Sequence, residues 1–130
     1  MVYALDTNTL SYAMREEGGV AGRMRQIGPA TLALPAVVVF EMRFGLLRAG
    51  RLRQLVAFEA FVASLGQIGF DTEAADHAAR IRLALEAAGT PIGLADLLIA
   101  ATARRHGCTL VTHNSREFSR VPGLLIEDWY

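Results

Sequence analysis

Short apolar segments separated by stretches of helical periodicity restrict the fold of this chain more than any other feature. Apolar or β-branched residues fill positions 2–5, 31–34 and 109–112, and weaker examples occupy positions 67–70 and 124–126. Such runs are typical of strands that are buried on both faces, as in a parallel sheet. We therefore predict an α/β fold of three layers, in which helices flank a short, mostly parallel central sheet.

The stretches between these segments predict the helices. One helix follows Asp6 and ends before Gly18, and further helices are predicted over residues 20–27, 36–49, 51–65, 72–88 and 94–106. Asp71 is placed to cap the helix that begins at residue 72. The chain has no internal repeat or linker, so we expect a single domain over residues 1–130.

Composition excludes several classes of protein. Hydrophobic residues make up 52% of the chain and charged residues 20%, the opposite of a disordered protein. The longest apolar run, residues 32–40, contains Pro35 and is too short for a membrane-spanning helix. No basic residue precedes Asp6, so no secretion signal is expected. The single Cys108 excludes an internal disulfide and favours a cytoplasmic location.

The charge balance leaves two alternatives open. The chain has 13 basic and 13 acidic residues, which argues against nucleic-acid binding through bulk positive charge. Every basic residue is Arg, and two groups of Arg lie close together in sequence: Arg43, Arg48, Arg51 and Arg53, then Arg104, Arg105, Arg116 and Arg120. Either group can be a solvated helix face or can contact phosphate, which Arg binds bidentately.

Three acidic residues interrupt apolar sequence. Asp6 directly follows the first predicted strand, where it can cap a helix or carry function. Glu41 lies inside an apolar helix, where it can bind a cation, pair with Arg43 or Arg48, or be exposed at the helix edge. Asp96 lies in the first turn of another apolar helix, where the helix dipole stabilises negative charge. Most other acidic residues are expected to be solvated or, like Asp71, to cap helices.

A fourth group follows the predicted strand at residues 109–112. Asn114 and Glu117 come just after its carboxyl end, where functional residues of parallel sheets gather. Carboxylates that converge in one pocket repel each other unless a hard cation is bound, and Mg²⁺ or Mn²⁺ prefers oxygen ligands. The three histidines lack metal-ligand spacing and are expected to be structural. The second group of arginines is expected to lie near such a pocket: Arg104, Arg105, Arg116 and Arg120.

In order and spacing, these residues resemble the PIN-domain ribonucleases, in particular VapC-type toxins of bacterial toxin–antitoxin pairs. The resemblance covers essentially the whole chain, including the closing segments 121–124 and 127–129. Its main motifs are Leu5-Asp6-Thr7-Asn8, Phe40-Glu41-Met42-Arg43-Phe44-Gly45, Pro91-Ile92-Gly93-Leu94-Ala95-Asp96-Leu97-Leu98-Ile99-Ala100-Ala101 and Leu110-Val111-Thr112-His113-Asn114-Ser115-Arg116-Glu117-Phe118.

The resemblance implies a PIN-like fold and metal-assisted hydrolysis of RNA with Mg²⁺ or Mn²⁺. It assigns Asp6, Glu41 and Asp96 to the metal site, and it assigns Thr7 and Thr112 as hydroxyls that orient those acids. Many members have Asp where this chain has Asn114, so either Asn114 or Glu117 completes the set. The implied partners are an RNA substrate, a small VapB-type antitoxin and a second copy of the chain. Apolar residues of the early helices, such as Tyr12 and Met14, can either contact the antitoxin or pack in the core.

Three other functions are compatible with acids at strand ends. Phosphoacceptor receiver domains and haloacid-dehalogenase-type phosphatases both depend on a Lys, which this chain lacks. A catalytically weakened binding module with a PIN-like fold remains an alternative, because Asn114 carries no charge.

Overall fold

The computed structural model describes residues 2–130, and its centre is a five-stranded sheet in which all neighbouring strands are parallel. The strands along the chain are β1 (Tyr3–Leu5), β2 (Leu32–Pro35), β3 (Gly66–Ile68), β4 (Thr109–Val111) and β5 (Ile126–Glu127). Their order across the sheet is β3-β2-β1-β4-β5. The predicted α/β fold is therefore confirmed.

Seven α-helices flank the sheet within residues 2–130. They are α1 (Thr7–Met14), α2 (Val20–Ile27), α3 (Ala36–Arg48), α4 (Leu52–Ser64), α5 (Thr72–Ala87), α6 (Leu94–Arg105) and α7 (Ser115–Phe118), with a 3₁₀ turn at Pro29–Thr31. Asp71 caps α5 as predicted, because its Oδ1 accepts a 2.7 Å hydrogen bond from the Ala74 backbone N–H. No helix within residues 2–130 is long and apolar enough to cross a bilayer.

Four of the five strands begin one or two residues away from the predicted positions: β1 and β2 begin one residue later, and β3 and β5 are displaced for the following reasons. β5 was expected at residues 124–126, but the chain turns at Gly123 (φ 74°). The first hydrogen bond to β4 is therefore the one from the Leu110 N–H to the Leu125 carbonyl, at 2.9 Å, and β5 begins after it. β3 was expected at residues 67–70 and lies one residue earlier, because Gly66 pairs with Ala33 of β2. Apolar content alone does not determine such pairing registers.

The sheet order determines where functional residues can meet. The chain leaves β1 toward β2 and β3, then returns past β1 to β4, so the strand order reverses between β1 and β4. A crevice forms at such a reversal, outside the carboxyl ends of the strands. The residues that directly follow β1 and β4 therefore face the same crevice. Buried residues of both strands, including Leu5, Leu110 and Val111, form part of the core beneath it.

Candidate metal centre

Asp6 lies where β1 ends and α1 begins. It is buried, with 5% of its surface exposed. Its Oδ1 accepts a 2.9 Å hydrogen bond from the Thr9 backbone N–H, so Asp6 is the N-cap of α1. Capping and metal binding are compatible roles for this residue, because the cap uses one of its two carboxylate oxygens.

Thr9 holds this turn in place, and the sequence analysis did not single it out. It is buried, and its hydroxyl donates to the Val111 carbonyl of β4 at 3.1 Å. The Asp6 backbone N–H donates to the same carbonyl at 3.2 Å. Thr9 therefore fixes Asp6 relative to β4. In the sequence, the contact between Thr9 and Asp6 is indicated by the position of Thr9 three residues after a candidate N-cap Asp.

Glu41 projects from α3 toward the start of α1. It is half-buried, and its Oε1 accepts a 2.5 Å hydrogen bond from the Thr7 hydroxyl. Arg43, one of its expected partners, instead forms a bidentate ion pair with Glu59 of α4 at 2.6 and 2.7 Å. Thr7 thus contacts an acid of the site, as the resemblance implies.

The raised pKa of Asp96 indicates that other acidic side chains lie near it. It is half-buried in the first turn of α6. Burial raises its pKa to about 6, and the negative charges of Glu117, Asp6 and Glu41 contribute in that order. Glu117, Asp6 and Glu41 therefore each lie within electrostatic range of Asp96, although they are far from it in sequence.

The segment after β4 brings Asn114 and Glu117 to this crevice. Thr112 is fully buried, and its hydroxyl accepts a 3.0 Å hydrogen bond from the Asn114 backbone N–H. Thr112 thus orients the segment rather than an acid directly. Asn114 is the N-cap of α7, and its side-chain amide donates to the Glu117 carboxylate. An amide oxygen and a carboxylate are therefore presented together.

The donor set suits a hard cation in its chemistry, but the side chains are not in a ligating arrangement. No three His, Cys, Asp or Glu side chains in the described part of the chain are close enough to hold one metal ion. The acids have separate hydrogen-bond donors: Thr9 for Asp6, Thr7 for Glu41 and Asn114 for Glu117. Repulsion among like charges favours such separate partners.

The structure corrects the expectation that Arg104 and Arg105 lie near the site. They are eight and nine residues beyond Asp96 on α6, about 12–13 Å along the helix axis. Arg104 donates to His77 Nδ1 and to the Pro122 carbonyl. Arg105 pairs with Asp71 at 3.4 Å. Both side chains support the packing of α5 against α6 and the turn beyond it.

Comparison with family models matches residues 3–124 to the PIN domain. This range contains all of the candidate site residues, from Asp6 to Glu117. The chain therefore belongs to the PIN-domain family.

Two curated relatives span nearly the whole chain, and both carry VapC names. The tRNA(fMet)-specific endonuclease VapC of Salmonella typhimurium is 33% identical over 128 residues, which are 98% of this chain and 97% of the relative. Ribonuclease VapC2 of Rickettsia felis is 32% identical over 132 residues, which cover 99% of this chain and 98% of the relative. The resemblance found in the sequence is confirmed.

Solved structures agree with this assignment. A chain of the DNA-bound VapBC structure from Salmonella typhimurium superposes with a TM-score of 0.92 at 32% identity, covering 100% of this chain and 99% of that one. A chain of the structure of VapBC2 from Rickettsia felis bound to a promoter DNA fragment superposes with a TM-score of 0.92 at 31% identity, and the match covers 100% of both chains.

The crowding of acids predicts a stabilising substitution. Because the pKa of Asp96 is raised from 3.8 to about 6, its charge destabilises the folded state above that pH, and the penalty disappears below about pH 4. A shift of this size corresponds to at most about 3 kcal/mol, and solvent screening of a half-exposed group reduces it to about 1 kcal/mol. Asp96→Asn should raise the free energy of unfolding by that amount at neutral pH, measured by urea denaturation with chelator present.

Asp76→Asn is the matched control for this prediction. Its hydrogen bond from Arg80 lowers the pKa of Asp76, so the substitution should give no gain in stability. An Asp96→Asn variant no more stable than the parent at neutral pH would contradict the crowding of charges.

Proposed function

We propose that this chain is a metal-dependent endoribonuclease, the toxin of a toxin–antitoxin pair that is neutralised by a small VapB-type antitoxin. The observation that carries the proposal is the proximity of Glu117, Asp6 and Glu41 to the half-buried Asp96, expressed in the raised pKa of Asp96. The names of the relatives support the reaction, since they are a ribonuclease and an endonuclease. The VapBC structures support the antitoxin.

In this proposal Asp6, Glu41 and Asp96 hold Mg²⁺ or Mn²⁺, and Asn114 and Glu117 complete the oxygen donors. When bound, such an ion lowers the pKa of a coordinated water and offsets negative charge on the phosphodiester. The chain's own groups set the orientation of the donors. Thr7 directs Glu41, the backbone of Thr9 directs Asp6, and Thr112 holds the backbone of Asn114.

Arg116 is the arginine best placed to contact RNA. It lies exposed on α7, between Asn114 and Glu117, and takes part in none of the ion pairs found among residues 2–130. Arg120, two residues beyond α7, is also exposed. A guanidinium beside the acidic crevice can bind the phosphate that follows or precedes the cleaved bond.

An apolar groove between α1, α2 and α4 suits the antitoxin. Its floor consists of small and flexible apolar side chains, namely Ala13, Met14, Ala21, Met24, Ala57 and Phe61. The ion pair between Arg25 and Glu16, 3.2 Å long, lies at its rim. A groove of this kind accepts the apolar face of a partner helix. Tyr12, by contrast, contacts Tyr130 and His113 instead of this groove.

A second apolar surface suits a homodimer. Phe40, Phe44 and Leu47 recur at helical spacing on α3, yet each is more than half exposed. The rings of Phe40 and Phe44 stack on each other with centroids 6.4 Å apart. Leu94 extends this surface to the start of α6. A contiguous apolar patch is typical of a protein interface. We propose that a second copy of the chain binds this surface of α3.

We also propose that the chain is cytoplasmic.

Metal-dependent RNA cleavage tests the proposed reaction. Cleavage of a total-RNA or tRNA substrate should require Mg²⁺ or Mn²⁺ and should stop when chelator is added. Asp6→Asn, Glu41→Gln and Asp96→Asn should each reduce the rate on the order of 100-fold or more, because each removes a charge that holds the ion. Gel-based initial rates at saturating metal measure the effect.

Asp76→Asn, on the remote face of α5, serves as the control and should cleave at the parent rate. Cleavage that persists in chelator and in Asp96→Asn would contradict the metal mechanism. Absence of cleavage by the parent in either metal, with intact folding, would favour the weakened binding module instead.

The exposed face of α3 gives a prediction about assembly. Phe44→Glu should convert a dimer into a monomer, because a buried unpaired charge at an interface is strongly unfavourable. Light scattering coupled to size exclusion should report about half of the parent mass. Leu83→Glu, at an exposed position of α5, is the matched control and should keep the parent mass. Equal masses for the parent and Phe44→Glu would exclude this face as the interface.

A further inference from the structure

An aromatic cluster holds the segment that carries Asn114 and Glu117, and the site as described makes no use of it. His113 directly precedes Asn114, and its Nδ1 donates to the Asp128 carboxylate at 2.9 and 3.2 Å. Its ring stacks on the ring of Tyr130, with centroids 4.3 Å apart and 23° between planes. The rings of Tyr12 and His113 pack edge-to-face, with their centroids 5.9 Å apart. We call Tyr12, His113, Asp128 and Tyr130 the aromatic latch.

Tyr130 is itself held from several sides. Its backbone N–H donates to Asp128 Oδ1 at 3.0 Å, and this bond is the main reason that the pKa of Asp128 is lowered. Its hydroxyl donates to Glu17 Oε1 at 3.0 Å, across 113 residues of sequence. The Tyr130 ring packs edge-to-face on the Tyr12 ring, with their centroids 4.8 Å apart.

The turn between α1 and α2 is shaped to receive this ring. A Cβ at Gly18 would lie 2.9 Å from the Tyr130 ring, and Gly18 has a positive φ of 67°. A Cβ at Gly19 would lie 3.0 Å from the Trp129 carbonyl. The close packing of Trp129 and Tyr130 on this turn therefore favours glycine at both positions, most strongly at Gly18 because of its positive φ.

The latch connects two sides of the candidate metal site. α1 follows its N-cap Asp6 and carries Tyr12 in its second half, whereas the segment between β4 and α7 contains His113 and leads to Asn114 and Glu117. Tyr130 contacts both Tyr12 and His113, so it joins the end of α1 to the start of the segment. Edge-on and stacked aromatic pairs stabilise a structure beyond the effect of the apolar area that they bury.

We propose that His113 and Tyr130 are positioning residues that hold Asn114 and Glu117 against Asp6 in the metal site. The inference rests on the proposed function for the ligand roles, but the holding of the segment is independent of it. Without the latch, Thr112 would still orient the Asn114 backbone through one hydrogen bond, and α7, with four residues, is too short to be stable alone.

Amide hydrogen exchange on the metal-free full chain tests whether the latch holds the segment. Tyr130→Ala should accelerate exchange in residues 112–118 about tenfold, since it removes two ring contacts and the bond to Glu17. Exchange in α6 should stay at the parent rate. Tyr130→Phe keeps the ring contacts and should fall between Ala and the parent. Leu125→Ala, exposed and nearby, is the matched control and should leave residues 112–118 unchanged.

Mn²⁺ titration then tests whether the held segment serves the metal site. Tyr130→Ala should weaken Mn²⁺ binding about tenfold, as expected when a group that orients ligands is removed, and Tyr130→Phe should recover most of the affinity. Unchanged exchange in residues 112–118, or faster exchange spread equally over α5 and α6, would overturn the positioning role. Faster local exchange with parent-like Mn²⁺ affinity would overturn it as well. A parent chain that does not bind Mn²⁺ would contradict the proposed function, while the exchange result would still decide whether the latch holds the segment.

Discussion

Electrostatic repulsion among the carboxylates of the β1–β4 crevice is the constraint on which the site depends. Burial and three neighbouring acids raise the pKa of Asp96 to about 6, so the folded chain holds its acids together at a cost in stability. The start of α6 offsets part of this cost, because the positive end of its dipole lies beside Asp96. A fold that keeps such a cluster gains stability when a cation binds. The same crowding therefore links the fold to the proposed chemistry.

The acids come from four different elements, and hydrogen bonds between elements fix Glu41 and the turn that carries Asp6. The bond from Thr7 to Glu41 joins α1 to α3 across 34 residues, and Thr9 joins the start of α1 to β4 across 102 residues. The aromatic latch extends this pattern to the segment that carries Asn114 and Glu117. The geometry of the site thus depends on how α1 packs against its neighbours. Substitutions in α1 that spare every acid are expected to matter for the same reason.

The sequence predicts much of this architecture, because its signals are local. Apolar strand segments, the Asp71 cap and the Gly18 and Gly50 breaks each act within a few residues, and the structure agrees with them. Placement of Asp6 and Asn114 at one crevice follows from their positions after strands. The sites that sequence analysis misjudged depend on distant partners. Arg104 and Arg105 lie away from Asp96 because of the length of α6, and they pair with residues of α5 and of the turn after α7. Thr9 and Tyr130 act through contacts more than 100 residues away.

The central claim is that these acids form one divalent metal site, and a crystal structure of the full chain with Mn²⁺ tests it most directly. Anomalous scattering identifies the ion independently of any assumed ligand. If the acids form one site, an anomalous peak lies within about 2–2.5 Å of oxygens from Asp6, Glu41 and Asp96, with Asn114 or Glu117 nearby. A peak elsewhere, or none at this crevice with Mn²⁺ at millimolar concentration, would contradict it.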